Sequence, residues 1–203
     1  MSRQSAEPPA FLIIAGPNGS GKSTAYKDTD IEQAGRSLWI VNPDLLTERI
    51  QQAEGLKIEE ANREAVIRIE SWLEASIDVH KSVGVETVLS TGKYRRLVDH
   101  ARRRGFVVWL IYVVLDSPDR NVERVRLRVK KGGHAVDEGK IRARYLRSLE
   151  QFPWFLEQAD RAWIYDNSGA GLKRIGEKKD GVVSLDEEAL PVIVDAVNTI
   201  RTA

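Results

Sequence analysis

The chain has 203 residues, with 31 Lys and Arg against 30 Asp and Glu, which suits one domain over 1–203 and gives no global pull toward nucleic acid or an anionic membrane. Cysteine is absent, so disulfides, thiolate catalysis and cysteine metal sites are excluded, in keeping with a reducing compartment. The polar stretch 1–9 is expected to be a disordered start, and Phe11 to Ala15 is too short for a signal-peptide core or a membrane span, so a cytoplasmic protein is expected.

In chain order, the apolar run Phe11 to Ala15 predicts a buried strand, and Lys22 to Lys27 opens a helix after a glycine-rich loop. Leu38 to Val41 reads as a second strand. From Leu45 a helical stretch leads into a long segment, Ile58 to Val83, in which Ile58, Ala61, Ala65, Ile69 and Trp72 recur at helical spacing and form one core-facing stripe. Val85 to Leu89 predicts a third strand, Tyr94 to Arg104 a helix stopped by Gly105, and Val107 to Leu115 a central strand, apolar throughout. Pro118 to Lys130 and Asp137 to Gln158 read as helices around a glycine-containing loop. Ala162 to Tyr165 is a fifth strand, Leu172 to Ile175 and Val182 to Leu185 a hairpin, and Pro191 to Thr202 a closing helix. Alternating strands and helices predict an α/β fold with parallel strands and right-handed crossovers.

The segment Gly16-Pro17-Asn18-Gly19-Ser20-Gly21-Lys22-Ser23 lies between the first strand and the first helix, which is the context a phosphate-binding P-loop requires. Its glycines let backbone N–H groups close on phosphate oxygens. Lys22 is expected to bridge the β- and γ-phosphates of ATP, Ser23 to ligate Mg²⁺, and Thr24 to reach the α-phosphate. No Asn-Lys-x-Asp run for guanine and no strand ending in Asp-Glu occurs, which turns the reading from GTPases and mechanical ATPases toward a small-molecule kinase.

On the acceptor side, Asn42-Pro43-Asp44 ends the second strand, where a doubly wound sheet opens its ligand crevice. Asp44 is a candidate base for an acceptor hydroxyl, or else the cap of the following helix. Glu86 is a carboxylate within an apolar strand and reads as a contact to substrate or to a magnesium-bound water. Asp116 precedes Ser117-Pro118 and reads as a helix start. Arg120, Arg124, Arg126, Arg128, Arg142 and Arg144 bracket Gly132-Gly133-His134, which predicts a lid over about 128–144 that closes on a polyphosphate. His80 and His100 show no partners in the sequence and read as surface or helix residues.

The segments GPNGSGKST, NPD, ETVLS, RVRLRVKKGGHAVDEGKIRARY and YDNSG together resemble the zeta-toxin family of P-loop kinases, in its broader chromosomal branch, over about residues 10–169. That resemblance implies a three-layer fold with sheet order 2-3-1-4-5, helices on both faces and a lid. It further implies ATP and Mg²⁺ as cofactors, a nucleotide sugar such as UDP-N-acetylglucosamine as acceptor, and an antitoxin protein as a possible partner. Carried over by motif, Asp44 is the base, Glu86, Ser90 and His134 contact substrate, Arg128 and Arg144 serve the transferring phosphate, and Asn167 and Ser168 lie near the adenine. Val88 departs from the hydroxyl-bearing residue of the family pattern, and Asp137 from a common proline. Two other readings keep the nucleotide site: a kinase for another small hydroxyl compound, and an ATP-dependent binding protein that transfers nothing.

Overall fold

A computed structural model of the chain describes residues 7–27, 38–133 and 135–201. Strands β1 (Ala10–Ala15), β2 (Trp39–Val41), β3 (Val83–Thr87), β4 (Val107–Val114) and β5 (Arg161–Asp166) pair in parallel in the order β2-β3-β1-β4-β5. Strands β6 (Lys173–Lys179) and β7 (Val182–Leu185) extend the same sheet antiparallel beyond β5, so the predicted hairpin exists and the sheet has seven strands.

Both faces of the central strands are buried, as their lack of polar alternation requires. Phe11, Ile13, Leu110, Tyr112 and Val114 belong to the larger core. On that side pack α3 (Ile58–Asp78), α4 (Arg95–Arg103), α6 (Glu138–Gln158) and α7 (Pro191–Arg201), contributing for example Leu73, Val98, Phe155 and Ile193. The alternate positions Leu12, Ile14, Ile111 and Val113 form a second core with Ala25 of α1 (Lys22–Lys27). In α3 the stripe is Ala61, Ala65, Ile69, Leu73 and Ile77; Trp72 is partly buried against the core and Leu73 fills the position the spacing assigned to it.

Local chemistry fixes the boundaries. Helix α5 (Pro118–Lys130) starts where Ser117 accepts a hydrogen bond from the Arg120 N–H, with proline in the first turn. It stops in a Schellman motif: Gly133 N–H donates to the Arg128 carbonyl and Gly132 N–H to that of Val129, with Gly132 at φ +88°. Gly132 is therefore a helix stop. Gly105 ends α4 in the same way, as expected, with Phe106 N–H on the Ala101 carbonyl.

Three expectations are corrected. The long helix ends at Asp78, well before Val83, which opens β3. Strand β3 covers Val83–Thr87 and leaves Leu89 outside it, buried and in the left-handed region at φ +57°, its N–H held by Thr87 Oγ1. His100 has a partner, Asp78, at 2.8 Å from Nε2 to Oδ1, because α4 packs back along α3.

Candidate active site

The loop between β1 and α1 has Gly16, Gly19 and Gly21 at φ +145°, +77° and +95°. A methyl group at Gly16 would lie 2.0 Å from the Val113 carbonyl oxygen, one at Gly19 2.9 Å from that of Asn121, and one at Gly21 2.3 Å from Asn167 Nδ2. Glycine is thus required here for both backbone conformation and space. Lys22 is buried, and its ammonium donates to the carbonyls of Gly16 (2.9 Å) and Pro17 (3.1 Å). Burial lowers its pKa from the ordinary lysine value. The carboxylates of Glu86 and Asp44 oppose that shift, and Arg128 and Arg144 reinforce it.

Two buried polar atoms at the loop, Ser20 Oγ and Asn121 Oδ1, have no hydrogen-bond partner among the described residues. A cradle that a Cβ would fill, a desolvated lysine and unpartnered polar atoms fit a polyphosphate tail. Asn121, on α5, also donates to the Asn18 carbonyl at 2.6 Å. Sequence reasoning missed Asn121. Its signal was a polar residue one helical turn before Val125, on the apolar stripe of α5.

Glu86 stands near the end of β3, beside the loop because β3 and β1 are parallel neighbours with Ile14 opposite Glu86. Its Oε2 accepts from Ser23 Oγ at 2.8 Å and from Asn42 Nδ2 at 3.0 Å. Asn42 is also the N-cap of α2 (Pro43–Glu54), its Oδ1 accepting from the Asp44 N–H at 2.9 Å. The capping role is therefore that of Asn42, and Asp44 sits in the first turn with its side chain exposed. Asp44, Glu86, Ser23 and Arg128 line one cleft of 480 Å³. Among the described residues no cluster of three or more His, Cys, Asp or Glu is placed to hold a metal. Ser23 and Glu86 nevertheless form an all-oxygen pair suited to Mg²⁺, which takes few protein ligands and completes its shell with phosphate and water.

The arginine segment divides by partner. Arg120 pairs with Asp116, Arg126 with Glu138, and Arg142 with Asp119. Asp116 therefore serves Arg120, and Ser117 is the helix start. Arg124 donates to the Asn167 carbonyl at 2.5 Å, and Arg144 Nη1 lies 3.4 Å from Asn18 Oδ1. Arg128 lines the cleft beside Gly132 and Gly133. Asp137 is the N-cap of α6, accepting from the Lys140 N–H, which accounts for an aspartate at that position. Asn167 Nδ2 donates to the Ser20 carbonyl at 2.8 Å, and Ser168 Oγ accepts from the Asp116 N–H at 2.8 Å. Thr24 is exposed on α1. The half-buried Ser90 follows Leu89 and is not part of the cleft wall. His134 lies outside the described residues.

Sheet order, loop and flanking basic helices define a P-loop kinase-like fold. The chain belongs to the zeta toxin family, a family of ATP-dependent phosphotransferases, whose profile matches residues 1–176. An uncharacterized protein of Haemophilus influenzae is 29% identical over 136 residues, covering 66% of this chain and 91% of that one. Among solved structures, the AvrRxo1-ORF1:-ORF2 complex with ATP superimposes with a TM-score of 0.70 at 15% identity, over 95% of this chain and 64% of that chain. The chain thus spans less than two thirds of that neighbour. The PezAT chromosomal toxin–antitoxin system of Streptococcus pneumoniae superimposes with a TM-score of 0.63 at 16% identity, over 98% of this chain and 86% of that chain. No described helix is long and apolar enough to cross a membrane.

Proposed function

We propose that the chain transfers the γ-phosphoryl group of ATP to a hydroxyl of a small acceptor held in the cleft beside Asp44. The observation that carries this reading is the single cleft that Ser23, Asp44, Glu86 and Arg128 line at the end of the P-loop, with Ser23 bonded to Glu86. The Lys22 ammonium leaves the carbonyls of Gly16 and Pro17 for the β- and γ-phosphates, while the loop amides hold the remaining oxygens. Ser23 and Glu86 would hold Mg²⁺, which when bound would supply neutralisation of phosphate charge. Asp44 orients the acceptor hydroxyl and accepts its proton as the oxygen bonds to phosphorus and the bond to the departing ADP breaks. Arg128 and Arg144, on the segment expected to act as a lid, neutralise charge on the equatorial oxygens.

Substituting Asp44→Asn tests the assignment. Transfer is expected to fall by roughly a hundredfold or more in kcat, with ATP affinity retained in calorimetry. Equal turnover by the variant removes Asp44 from the mechanism.

Family membership supports a nucleotide sugar such as UDP-N-acetylglucosamine as acceptor. Val88, half-buried between Thr87 and Leu89, offers no hydroxyl there and favours a second reading, a kinase for another small hydroxyl compound. A screen of acceptors with labelled ATP separates the two. The toxin–antitoxin pairing named for the Streptococcus pneumoniae system supports an antitoxin chain as partner, tested by co-purification with the products of neighbouring genes.

A further inference from the structure

The end of β3 braces the P-loop at both of its ends. Glu86 takes the Ser23 hydroxyl, where the loop closes, and the next residue, Thr87, accepts the Gly16 N–H on its backbone carbonyl at 3.2 Å, where the loop begins. Both contacts therefore depend on how the chain leaves the strand.

That exit is a strained turn. Leu89, 1% exposed, stands at φ +57°, a region that side chains other than those of Asn and Asp seldom enter. Such a conformation persists where its surroundings over-determine it. Two restraints act here. The Leu89 side chain belongs to the larger core, and the Leu89 N–H donates to Thr87 Oγ1 at 3.1 Å, the turn in which a hydroxyl accepts from a backbone N–H two residues on. The far side of the turn is fixed independently. Arg95, which opens α4, donates to Gln151 Oε1 of α6 at 2.9 Å and lies over the Trp154 ring at 4.8 Å. A Cβ on Gly92 would lie 3.1 Å from Arg95 Nε, so the loop backbone rests on that side chain. With Gly92 held against α6, the near side of the turn is closed by the Thr87 hydroxyl. Thr87 is 9% exposed and is not among the described residues that line the cleft.

We propose that Thr87 is a positioning residue for the nucleotide site: its hydroxyl holds the left-handed turn at Leu89, and the turn keeps the end of β3 where Glu86 meets Ser23 and the Thr87 carbonyl meets Gly16. Without that hydroxyl the buried Leu89 N–H loses its acceptor and the backbone relaxes toward negative φ, which draws the Glu86 carboxylate away from Ser23. This role rests on the kinase reading for what Glu86 does. It goes beyond that reading in giving a task to a side chain that reaches no phosphate and no acceptor.

Thr87→Val keeps the branched shape and removes the acceptor, whereas Thr87→Ser keeps the acceptor. Calorimetry measures ATP affinity for wild type and both variants, with Mg²⁺ and with EDTA. Thr87→Val is expected to weaken ATP binding about tenfold in Mg²⁺ and to leave it unchanged in EDTA, while Thr87→Ser behaves as wild type in both. Amide exchange at Leu89 should accelerate in Thr87→Val alone. Unchanged binding in Mg²⁺ by Thr87→Val, an equal loss with and without the metal, or a Thr87→Ser as impaired as Thr87→Val overturns the proposal. Should Thr87→Val fail to fold, wild type decides: Mg²⁺ with ADP is expected to slow Leu89 amide exchange more than ADP in EDTA does, and equal rates refute the role. If wild type transfers phosphate to no acceptor while its binding in Mg²⁺ still responds to Thr87→Val, the kinase reading fails and the positioning role stands.

Discussion

Lys22 holds a positive charge with two backbone carbonyls as its hydrogen-bond partners, and burial lowers its pKa from 10.5. Bound phosphates would favour the ammonium and raise that pKa again. Between the lowered value of the free protein and the higher value of the complex, binding takes up a proton, so affinity for ATP falls as pH rises through that interval. Calorimetry in two buffers of different ionisation enthalpy should show this uptake, and Lys22→Met should abolish it. The loop itself was legible in the sequence because glycine spacing states a backbone requirement directly. Asn121 was not, since its value comes from Asn18, 103 positions away, a proximity that emerges when α5 docks on the loop. The same applies to Asn42, visible as part of Asn-Pro-Asp but not as the residue joining Glu86 to the cap of α2.

Helix α2 depends on that single side chain for its start and for its alignment with β3. Asn42→Ala should cost about 1 kcal/mol through the lost cap, read as a lower unfolding midpoint in urea. It should also lower kcat by more than the stability change explains, because Glu86 loses one of its two donors and Asp44 the N–H bond that fixes its turn. Element boundaries were readable where punctuation is chemical. Ser117-Pro118 and Gly132 mark both ends of α5, and the expected range matches the observed one. Strand β3 was displaced because Val83 to Leu89 is apolar except at Glu86 and Thr87, with no alternation to set its register. The arginines illustrate a different limit: Arg126 and Arg142 are paired with Glu138 and Asp119 across α5 and α6, and such partners are invisible until the two helices lie side by side.

Across the molecule, the parallel part of the sheet follows from alternating strands and helices, whereas the way the tail completes the core does not. The family profile ends at residue 176, inside β6, yet α7 returns to place Ile193 and Val197 in the main core with exposures of 0% and 2%. Ile193→Ala is expected to cost roughly 2–5 kcal/mol, measured by chemical unfolding, so the residues after the profile are as necessary to the fold as those within it. Asn167 reaches the P-loop through its side-chain amide, which donates to the Ser20 carbonyl, while its backbone carbonyl accepts from Arg124 of α5, and Asn121 returns from α5 to Asn18. Loop, strand end and helix thus form a closed circuit that is hard to break at one point. Amide protons of the P-loop and of the first turns of α5 should therefore exchange with solvent through a shared opening event, and Asn167→Ala should release both together.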